Sequence, residues 1–332
     1  MTTAAGALAL TLADIAKLQD PKGNIAQVIE ILATEDGVLD DMLFMEGNLP
    51  TGHRTTIRSG MPAGTWRKLN YGVQPEKATT VQVDDTCGML ESYAEVDAKI
   101  LSLSGNPGAV RLSEDRAFIM GLRKTMASAL IYGDTTITAE KIMGLTPRFN
   151  DLSGPENASN ILDGGGTGSD NTSIWLVGWG DNTVHGIYPK GSKAGLSSKD
   201  LGQVTKVLAD GSMYEVFRTH YTWDTGLTVR DWRYIVRIAN IDVSDLVAAN
   251  VASADLIDLM AQAVELLPDQ SLGRPVFYCN RTVRTVLRRQ IASKVAQSTL
   301  TMDAVGGKRV IGFDGIPVRR IDSILNNESR VV

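Results

Sequence analysis

The sequence predicts an α+β fold, and three features of its 332 residues support this class. Apolar residues recur at helical spacing in several separate stretches, the longest of which covers residues 112–133. Residues 174–241 are instead rich in β-branched and aromatic side chains between glycine turns, as expected for strands. Apolar residues make up 43% of the chain, so it can bury a hydrophobic core and is not intrinsically disordered.

Residues 1–45 predict an N-terminal arm of two short amphipathic helices that has no core of its own. One predicted helix in this arm places four apolar residues on a single face: Ile25, Val28, Ile29 and Leu32. An apolar stripe on such a thin segment has to be buried. We therefore expect it to pack against another domain or another subunit.

Residues 48–86 predict a long polar β-ribbon. Its β-type segments, at 55–58, 65–69 and 79–83, are joined by glycine and proline turns. Apolar residues are sparse here, and a two-stranded ribbon is not stable by itself in water. We expect the ribbon to lie on the surface of a neighbouring chain.

The clearest helix is predicted over residues 112–133. Its apolar face repeats every four residues, at Phe118, Leu122, Met126 and Leu130. Ser113 is the predicted N-cap, and Gly133 is expected to end the helix. At about six turns, this helix is long for a globular protein.

The remaining elements follow in order. Residues 153–173 predict a loop, and a helix over 256–267 is expected to begin after a cap at Ser253. Asn280 is expected to cap another helix, and an Asp314–Gly315 turn should join two C-terminal strands. Further strands are predicted at 174–179, 216–223, 232–238 and 275–279.

Charge and cysteine content exclude several classes of protein. The chain has 33 basic and 38 acidic residues, a formal charge of −5, whereas a sequence-reading nucleic-acid binder carries a basic excess. Two distant cysteines and three scattered histidines form no ligand spacing, so no metal or cofactor is expected. No run of 18 apolar residues predicts a membrane span.

Motif searching indicates no convincing catalytic site. The glycine-rich stretch 164–168 lacks the preceding strand, following helix and lysine of a phosphate loop, so a flexible surface loop is the favoured interpretation. An enzyme with a site between Gly164 and Asn171 stays a minor alternative. The adjacent pairs Asp40–Asp41 and Asp84–Asp85 are interpreted as solvated turn or cap residues.

Two further groups of residues have structural interpretations. Cys279 lies in an apolar strand and is interpreted as a buried thiol. His185 and His220 are interpreted as strand residues with a structural role. The basic residues of helix 281–295 are expected to form a solvated face or salt bridges between subunits.

Several segments together resemble the major capsid proteins of tailed phages, in the branch of short-tailed epsilon-fifteen-like phages. In the ribbon they are HRTTIRSG at 53–60 and WRKLNYGVQP at 66–75. The others are CGMLE at 87–91, RLSEDRAF at 111–118, GLTPRF at 144–149, WLVGWG at 175–180, GIYPK at 186–190 and GIPVRRID at 315–322. The resemblance extends from about residue 25 to the end of the chain.

The resemblance implies the Hong Kong 97-type capsid fold, in which an arm and an extended loop reach over neighbouring subunits. The implied contacts in the loop are Arg54, Arg58, Trp66, Arg67 and Lys68, in addition to the apolar residues of the arm. The implied domains are an arm at 1–47, an extended loop at 48–90, a peripheral domain at 91–150 plus 308–332 with a spine helix at 113–132, and an axial domain at 151–307. The placement of 174–245 between the last two domains is left open.

The implied function is that of a structural subunit, not an enzyme. It would assemble in the cytoplasm of a bacterial host into hexamers and pentamers of an icosahedral phage head that encloses double-stranded DNA. The implied partners are a cement or decoration protein, a separate scaffolding protein and a portal protein at one vertex, without sequence-specific DNA binding and without a membrane. An encapsulin-like nanocompartment shell is the alternative.

Overall fold

The computed structural model describes residues 36–103, 106–154, 156–247, 255–292, 300–305 and 308–332. The apolar arm residues Ile25, Val28, Ile29 and Leu32 therefore lie outside the described residues, as does the predicted cap Ser253. The described chain forms two units. Unit 1 contains Met89–Ser128 and Gly195–Asp224, and unit 2 contains Asp36–Gly88, Ala129–Ala194 and Thr225–Val332.

The elements are numbered in chain order. The helices are α1 (Val38–Asp41), α2 (Ala98–Leu103), α3 (Pro107–Tyr132), α4 (Val243–Val247), α5 (Leu256–Glu265) and α6 (Arg281–Ala292). The strands are β1 (Phe44–Glu46), β2 (Gly52–Gly60), β3 (Thr79–Asp97), β4 (Ile161–Asp163), β5 (Asn171–Trp179), β6 (Val184–Tyr188), β7 (Ser197–Val207), β8 (Met213–Val229), β9 (Ile235–Asp242), β10 (Arg274–Cys279), β11 (Leu300–Val305), β12 (Lys308–Phe313) and β13 (Ile316–Arg320). Three short 3-10 helices span Thr146–Arg148, Glu156–Asn160 and Trp232–Tyr234.

Unit 2 is organised around β5, every residue of which is buried. β10 and β9 both pair antiparallel with β5, β13 runs parallel to β10, and β12 pairs antiparallel with β13. A strand covered on both faces has apolar residues at nearly every position, which explains the unbroken run at 174–179. The α+β class is confirmed.

Two local predictions in unit 2 are confirmed in atomic detail. The side-chain oxygen of Asn280 accepts a hydrogen bond of 2.9 Å from the backbone N–H of Val283, which caps α6. Asp314 and Gly315 both have positive φ, 49° and 76°, in the turn that joins β12 to β13. This conformation suits the twist of a two-residue hairpin, and aspartate followed by glycine tolerates it well.

A buried ion pair links β9 to the C-terminal segment of unit 2. Arg237 Nη2 donates to Glu328 Oε2 at 2.8 Å, and Arg237 Nη1 donates to the carbonyl of Phe149 at 2.6 Å. Glu328 also accepts hydrogen bonds from the hydroxyls of Ser173 and Tyr132. The side chains of Arg237 and Glu328 are 2% and 5% exposed, so the pair is shielded from water.

Unit 1 contains most of α3 and the strands β7 and β8. β7 pairs antiparallel with β8, and β8 is also a neighbour of β3. Two apolar clusters form its core. They are Val96, Ile100, Leu101 and Val110 in one, and Ala94, Leu122 and Tyr221 in the other.

The helix α3 ends where predicted, but it begins at Pro107, five residues before the predicted start at residue 112. Gly133 N donates to Ala129 O at 2.8 Å, and a Cβ at Gly133 would lie 2.4 Å from that oxygen, so a glycine is required there. At the other end, the side chain of Asn106 accepts from Ala109 N at 3.2 Å, and Pro107 occupies the first helical position. Asn106 is therefore the N-cap, and the prediction of Ser113 is wrong.

We expect Asn106→Ala to lower the free energy of unfolding by about 1 kcal/mol, because a cap hydrogen bond is lost. Ser113→Ala is the matched control, and it should change stability by less than about 0.5 kcal/mol, because Ser113 lies inside the helix. Urea denaturation of both variants measures the difference. A larger loss for Ser113→Ala would contradict the assigned start of α3.

Three other local predictions are wrong in part. Residues 153–173 contain a 3-10 helix and β4 in addition to loop, and β5 already begins at Asn171. Residues 65–69 form no strand. The cap of α5 is Asp255, whose carboxylate accepts from Ile257 N at 3.2 Å and Asp258 N at 3.3 Å.

Candidate inter-subunit surface on the β-ribbon

The ribbon consists of β2, the facing part of β3 up to Gly88, and the connecting residues 61–78, which we call the tip. β2 and β3 pair antiparallel, with His53 opposite Asp85 and Arg58 opposite Thr80. The strands approach closely at Gly52, where a Cβ would lie 2.0 Å from the carbonyl oxygen of Asp85. Only glycine fits this position, which lies at the root of the ribbon.

Every residue of the tip is exposed, including its large apolar side chains. Trp66 is 100% exposed and Leu69 is 93% exposed, and Met61, Tyr71 and Val73 are also exposed. Apolar side chains of this size stabilise a protein by about 1.5–3 kcal/mol each when they are buried. Several of them on one projecting segment indicate a surface that contacts a partner.

The tip together with the nearby Arg58 of β2 is basic, whereas the chain is acidic. Between residues 58 and 78 the charged side chains are Arg58, Arg67, Lys68, Glu76 and Lys77, which gives a formal charge of +3. The remainder of the chain carries −8, since the total is −5. A basic projection on an acidic chain is electrostatically suited to the surface of another copy.

The base of the ribbon is held by contacts within its own chain. Arg54 donates to the carboxylate of Asp84 through Nε at 2.6 Å and Nη2 at 2.7 Å, a bidentate pair. These hydrogen bonds from Arg54 lower the pKa of Asp84. The side chain of Asn48 bonds both the N–H and the carbonyl of Arg54, each at 2.8 Å.

The inner face of the root contains a buried charged cluster. Asp85 is buried, and its Oδ1 lies 2.7 Å from Arg148 Nη2. On the same side, Arg230 Nη2 lies 3.0 Å from His53 Nε2. The rings of His53 and His185 meet edge to face, with centroids 6.0 Å apart.

The surroundings of both histidines lower the pKa of the ring and so favour its neutral form. Burial lowers the pKa of His53, and the nearby Arg230 guanidinium lowers it further. The stronger effect is at His185, where burial first, then Arg230 and His53, lower the pKa to about 4. His185 is fully buried, and neither of its ring nitrogens makes a hydrogen bond of normal geometry within the described chain.

The aspartates of the pairs Asp40–Asp41 and Asp84–Asp85 were interpreted as solvated. In the ribbon pair this is correct for Asp84 and wrong for Asp85. Asp84 and Asp85 point to opposite faces, as expected for a strand, but Asp85 is buried in an ion pair and is not solvated. Asp41 is also buried, 2.9 Å from Arg319 Nε, and it accepts a hydrogen bond of 3.0 Å from the Tyr278 hydroxyl. Desolvation raises the pKa of Asp41 in spite of these partners.

The glycine-rich stretch 164–168 is packed along β9. Gly164 N donates to Ala239 O at 2.8 Å, Gly166 N donates to Asn240 O at 2.7 Å, and Gly165 N donates to Asp163 Oδ1 at 2.9 Å. These three N–H groups are therefore already used within the chain. The stretch is a surface loop, as predicted, although Gly164 and Gly166 are buried against β9, and the packing provides no cradle for a phosphate.

The other chemistry-bearing residues have structural surroundings. Cys279 is fully buried, and burial raises the pKa of its thiol to about 12. His185 and His220 lie in β6 and β8, as expected. Among the described residues, no group of three potential ligands could hold a metal ion, and no helix is long and apolar enough to cross a membrane.

Arg58 lies in β2, and Trp66, Arg67 and Lys68 lie in the exposed tip, whereas Arg54 is engaged with Asp84 at the base of the ribbon. Sequence reasoning missed Met61, Leu69 and Tyr71, which share the exposure of Trp66. The sequence did contain a signal for these residues. They are large apolar side chains between glycine and proline turns, they follow no helical or strand period, and they therefore have no local core in which to be buried.

The chain was compared with known proteins at the level of sequence and fold. The family of major capsid proteins GP7 matches residues 20–332. A chain of the cryo-EM structure of bacteriophage Epsilon15 is 35% identical, with a TM-score of 0.79 and 99% of each chain covered. No curated protein sequence matches the chain.

Other solved structures are similar to the chain at lower identity and lower TM-score. A chain of the bacteriophage JBD30 capsid is 13% identical, with a TM-score of 0.50, and the match covers 95% of this chain and 99% of that chain. A chain of an encapsulin complex from Synechococcus elongatus is 12% identical, with a TM-score of 0.45, and the match covers 71% and 97%. The chain belongs to the GP7 family of major capsid proteins, and it is a structural subunit of a tailed-phage virion shell with the Hong Kong 97-type α+β fold.

Proposed function

We propose that this subunit assembles into hexamers and pentamers of an icosahedral head, in which the ribbon of each subunit lies on a neighbouring subunit. The observation that carries the proposal is the tip, where every residue is exposed and Trp66 is fully so. A monomer gains nothing from projecting these side chains into water. In a shell, the apolar side chains of each tip become buried because a neighbouring subunit covers them.

The contacts proposed for the ribbon are those of Arg58 in β2 and of Trp66, Arg67 and Lys68 in the tip. The formal charge of +3 over residues 58–78 favours an acidic partner surface, which the remaining −8 of another copy provides on average. Arg54 has a different part in this proposal. Its ion pair with Asp84 holds the base of the ribbon. Arg54 contacts the neighbouring subunit only if a residue of that subunit joins this ion pair.

We also propose the four-part organisation into an arm at 1–47, an extended loop at 48–90, a peripheral domain at 91–150 plus 308–332 and an axial domain at 151–307. In this proposal the stripe of Ile25, Val28, Ile29 and Leu32 is buried between subunits. The residues placed in the peripheral domain include α3, the longest described helix.

The role is structural and not catalytic in this proposal. The N–H groups of the 164–168 stretch are used within the chain, and the Cys279 thiol is buried with a raised pKa. These features support neither a phosphate site nor a nucleophile. A net charge of −5 suits a shell that encloses double-stranded DNA without gripping it.

The proposed partners are a cement or decoration protein on the outer surface, a separate scaffolding protein and a portal protein at one vertex. Assembly is proposed to take place in the cytoplasm of the bacterial host. No specific feature of the described residues favours the alternative of a nanocompartment shell.

The tip is tested by the double variant Trp66→Ser, Leu69→Ser. We expect the concentration required for shell formation to rise by roughly tenfold or more, because apolar area is lost from each contact. The free energy of unfolding of the subunit should change by less than about 0.5 kcal/mol, because both side chains are exposed. Electron microscopy and sedimentation measure assembly, and urea denaturation measures stability.

The matched control is Ile137→Ser, Met213→Ser, which removes two other apolar side chains that are 83% and 68% exposed. The control should form shells at the wild-type concentration. Normal assembly of the tip variant, or an equal loss in the control, would contradict a specific role for the tip.

A further inference from the structure

Two helices of unit 2 carry opposite charges on their exposed faces. In α5, the buried residues Leu256, Met260, Ala263 and Val264 face the core, and the exposed side includes Asp258 and Glu265. No basic residue occurs between Asp255 and Asp269. The charged residues on the exposed face of α5 are therefore all acidic.

The helix α6 has the complementary composition. Its four charged residues are Arg281, Arg284, Arg288 and Arg289, and no acidic residue occurs in it. Val283, Val286 and Leu287 are buried on the opposite face, so the helix is amphipathic with an arginine side. Arg281 and Arg288 are exposed on that side.

These charges have little to pair with in their own subunit. In the described part of the chain, no ion pair involves Asp258, Glu265 or Arg288, although Asp258 Oδ2 accepts a hydrogen bond of 2.6 Å from the neutral side chain of Gln262. The guanidinium of Arg281 lies 3.5 Å from Asp322, a carboxylate that already makes two shorter hydrogen bonds, of 2.5 and 2.6 Å, with Arg320. Both faces thus retain exposed charge.

The spacing of the charges also matches. Asp258 and Glu265 are seven residues apart, and so are Arg281 and Arg288. Seven residues are two helical turns, about 10.5 Å along the axis. Two helices packed side by side can therefore bring both carboxylates against both guanidinium groups at once.

We propose that the acidic face of α5 in one subunit docks on the arginine face of α6 in the next subunit of the same ring. This inference rests on the proposed assembly into hexamers and pentamers. In a ring with cyclic symmetry, each interface joins two different patches of identical chains, so every subunit uses one acidic and one basic patch. The acidic face of α5 and the arginine face of α6 are two different patches of opposite charge on one chain, as this kind of interface requires.

Packed DNA is the competing partner for the arginine face. Phosphate contacts would satisfy Arg281 and Arg288 but would leave the acidic face of α5 uncovered. Docking between copies pairs Asp258 and Glu265 with Arg281 and Arg288, so that both faces are covered. We therefore assign the arginine face to a second copy of this chain.

The test is a charge swap in the full chain, under conditions in which the wild type forms shells. Arg281→Glu with Arg288→Glu, and separately Asp258→Lys with Glu265→Lys, should each raise the concentration needed for assembly by roughly tenfold, because like charges then face each other. The variant with all four substitutions should assemble within roughly threefold of the wild type. Rescue of this kind requires that the two faces meet.

The matched control is Lys190→Glu with Lys193→Glu, which makes the same change in net charge at two exposed lysines. This control should assemble normally, and urea denaturation should show all variants folded. Absence of rescue in the fourfold variant would overturn the proposal. So would arginine variants that form normal shells but package less DNA, because that result assigns the face to phosphate. Failure of the wild-type chain to form rings under any condition would instead contradict the proposed function.

Discussion

Replacing Glu328 by alanine is expected to lower the free energy of unfolding by about 3–5 kcal/mol, because it leaves the buried guanidinium of Arg237 without its counter-charge. The side chain of Arg237 is 2% exposed, so water does not replace the lost carboxylate. The hydroxyls of Ser173 and Tyr132 lose their acceptor at the same time. The C-terminal segment that carries Glu328 is then held less firmly to β5.

Urea denaturation of the unassembled subunit measures this loss. Arg233→Ala is the control for an ordinary surface ion pair, since Arg233 is 55% exposed and bonds Asp231 at 2.7 Å, and it should cost about 1 kcal/mol or less. The double variant Arg237→Met, Glu328→Leu should recover much of the stability, because no unpaired charge remains buried. A loss in Glu328→Ala no greater than that of the surface control would contradict the buried pair.

Acid is expected to destabilise unit 2 through His185. Its folded pKa of about 4 lies below the ordinary value of 6.5. As the pH falls below 6.5, His185 becomes protonated in the unfolded chain, whereas in the folded chain it stays neutral down to about pH 4. The free energy of unfolding is therefore expected to fall by about 2–3 kcal/mol between pH 6.5 and pH 4. This figure follows from the difference between the two pKa values, at about 1.36 kcal/mol per pKa unit.

His53 acts in the same direction, because its pKa is also lowered, by burial and by Arg230. Measuring the free energy of unfolding at pH 7.5 and pH 4.5 tests the effect. His185→Leu should remove most of the acid loss, since leucine is apolar and does not titrate, and stability at pH 7.5 should be nearly unchanged because the imidazole makes no normal hydrogen bond.

His220→Leu is the comparison variant for the acid experiment. His220 stacks on Tyr93 in unit 1, with ring centroids 4.2 Å apart, and its replacement leaves His185 intact. We expect this variant to keep the acid loss of the wild type. Equal acid sensitivity in the wild type and in His185→Leu would show that His185 is not its source.

The sequence predicted helices, strands and turns best where a few neighbouring residues specify the local structure. The continuous apolar run of β5, the Asn280 cap and the Asp314–Gly315 turn are each specified by a few neighbouring residues. The start of α3 was missed because Pro107 and Gly108 suggest a turn when no neighbouring structure is considered. In the fold, proline at the first helical position needs no N–H partner, and the helix tolerates the glycine.

Buried charge was the main feature that local patterns did not predict. Asp41 and Asp85 were interpreted as solvated, but each is buried beside an arginine, Arg319 or Arg148, that lies far along the chain. The sequence contains both partners, but nothing in their spacing shows that they meet. The exposed tip was predicted as a ribbon, although three of its apolar side chains were overlooked.

By itself, the sequence determined the α+β class, the presence of a long ribbon that needs a partner, and the resemblance to phage capsid proteins, because these depend on composition, local period and short motifs. Only the tertiary structure decided which charges are buried, as in Arg237 with Glu328, and which remain exposed, as on α5 and α6. The physical reason is that the free energy of a charge depends on its burial and on partners that approach through space, and both arise only when distant segments pack.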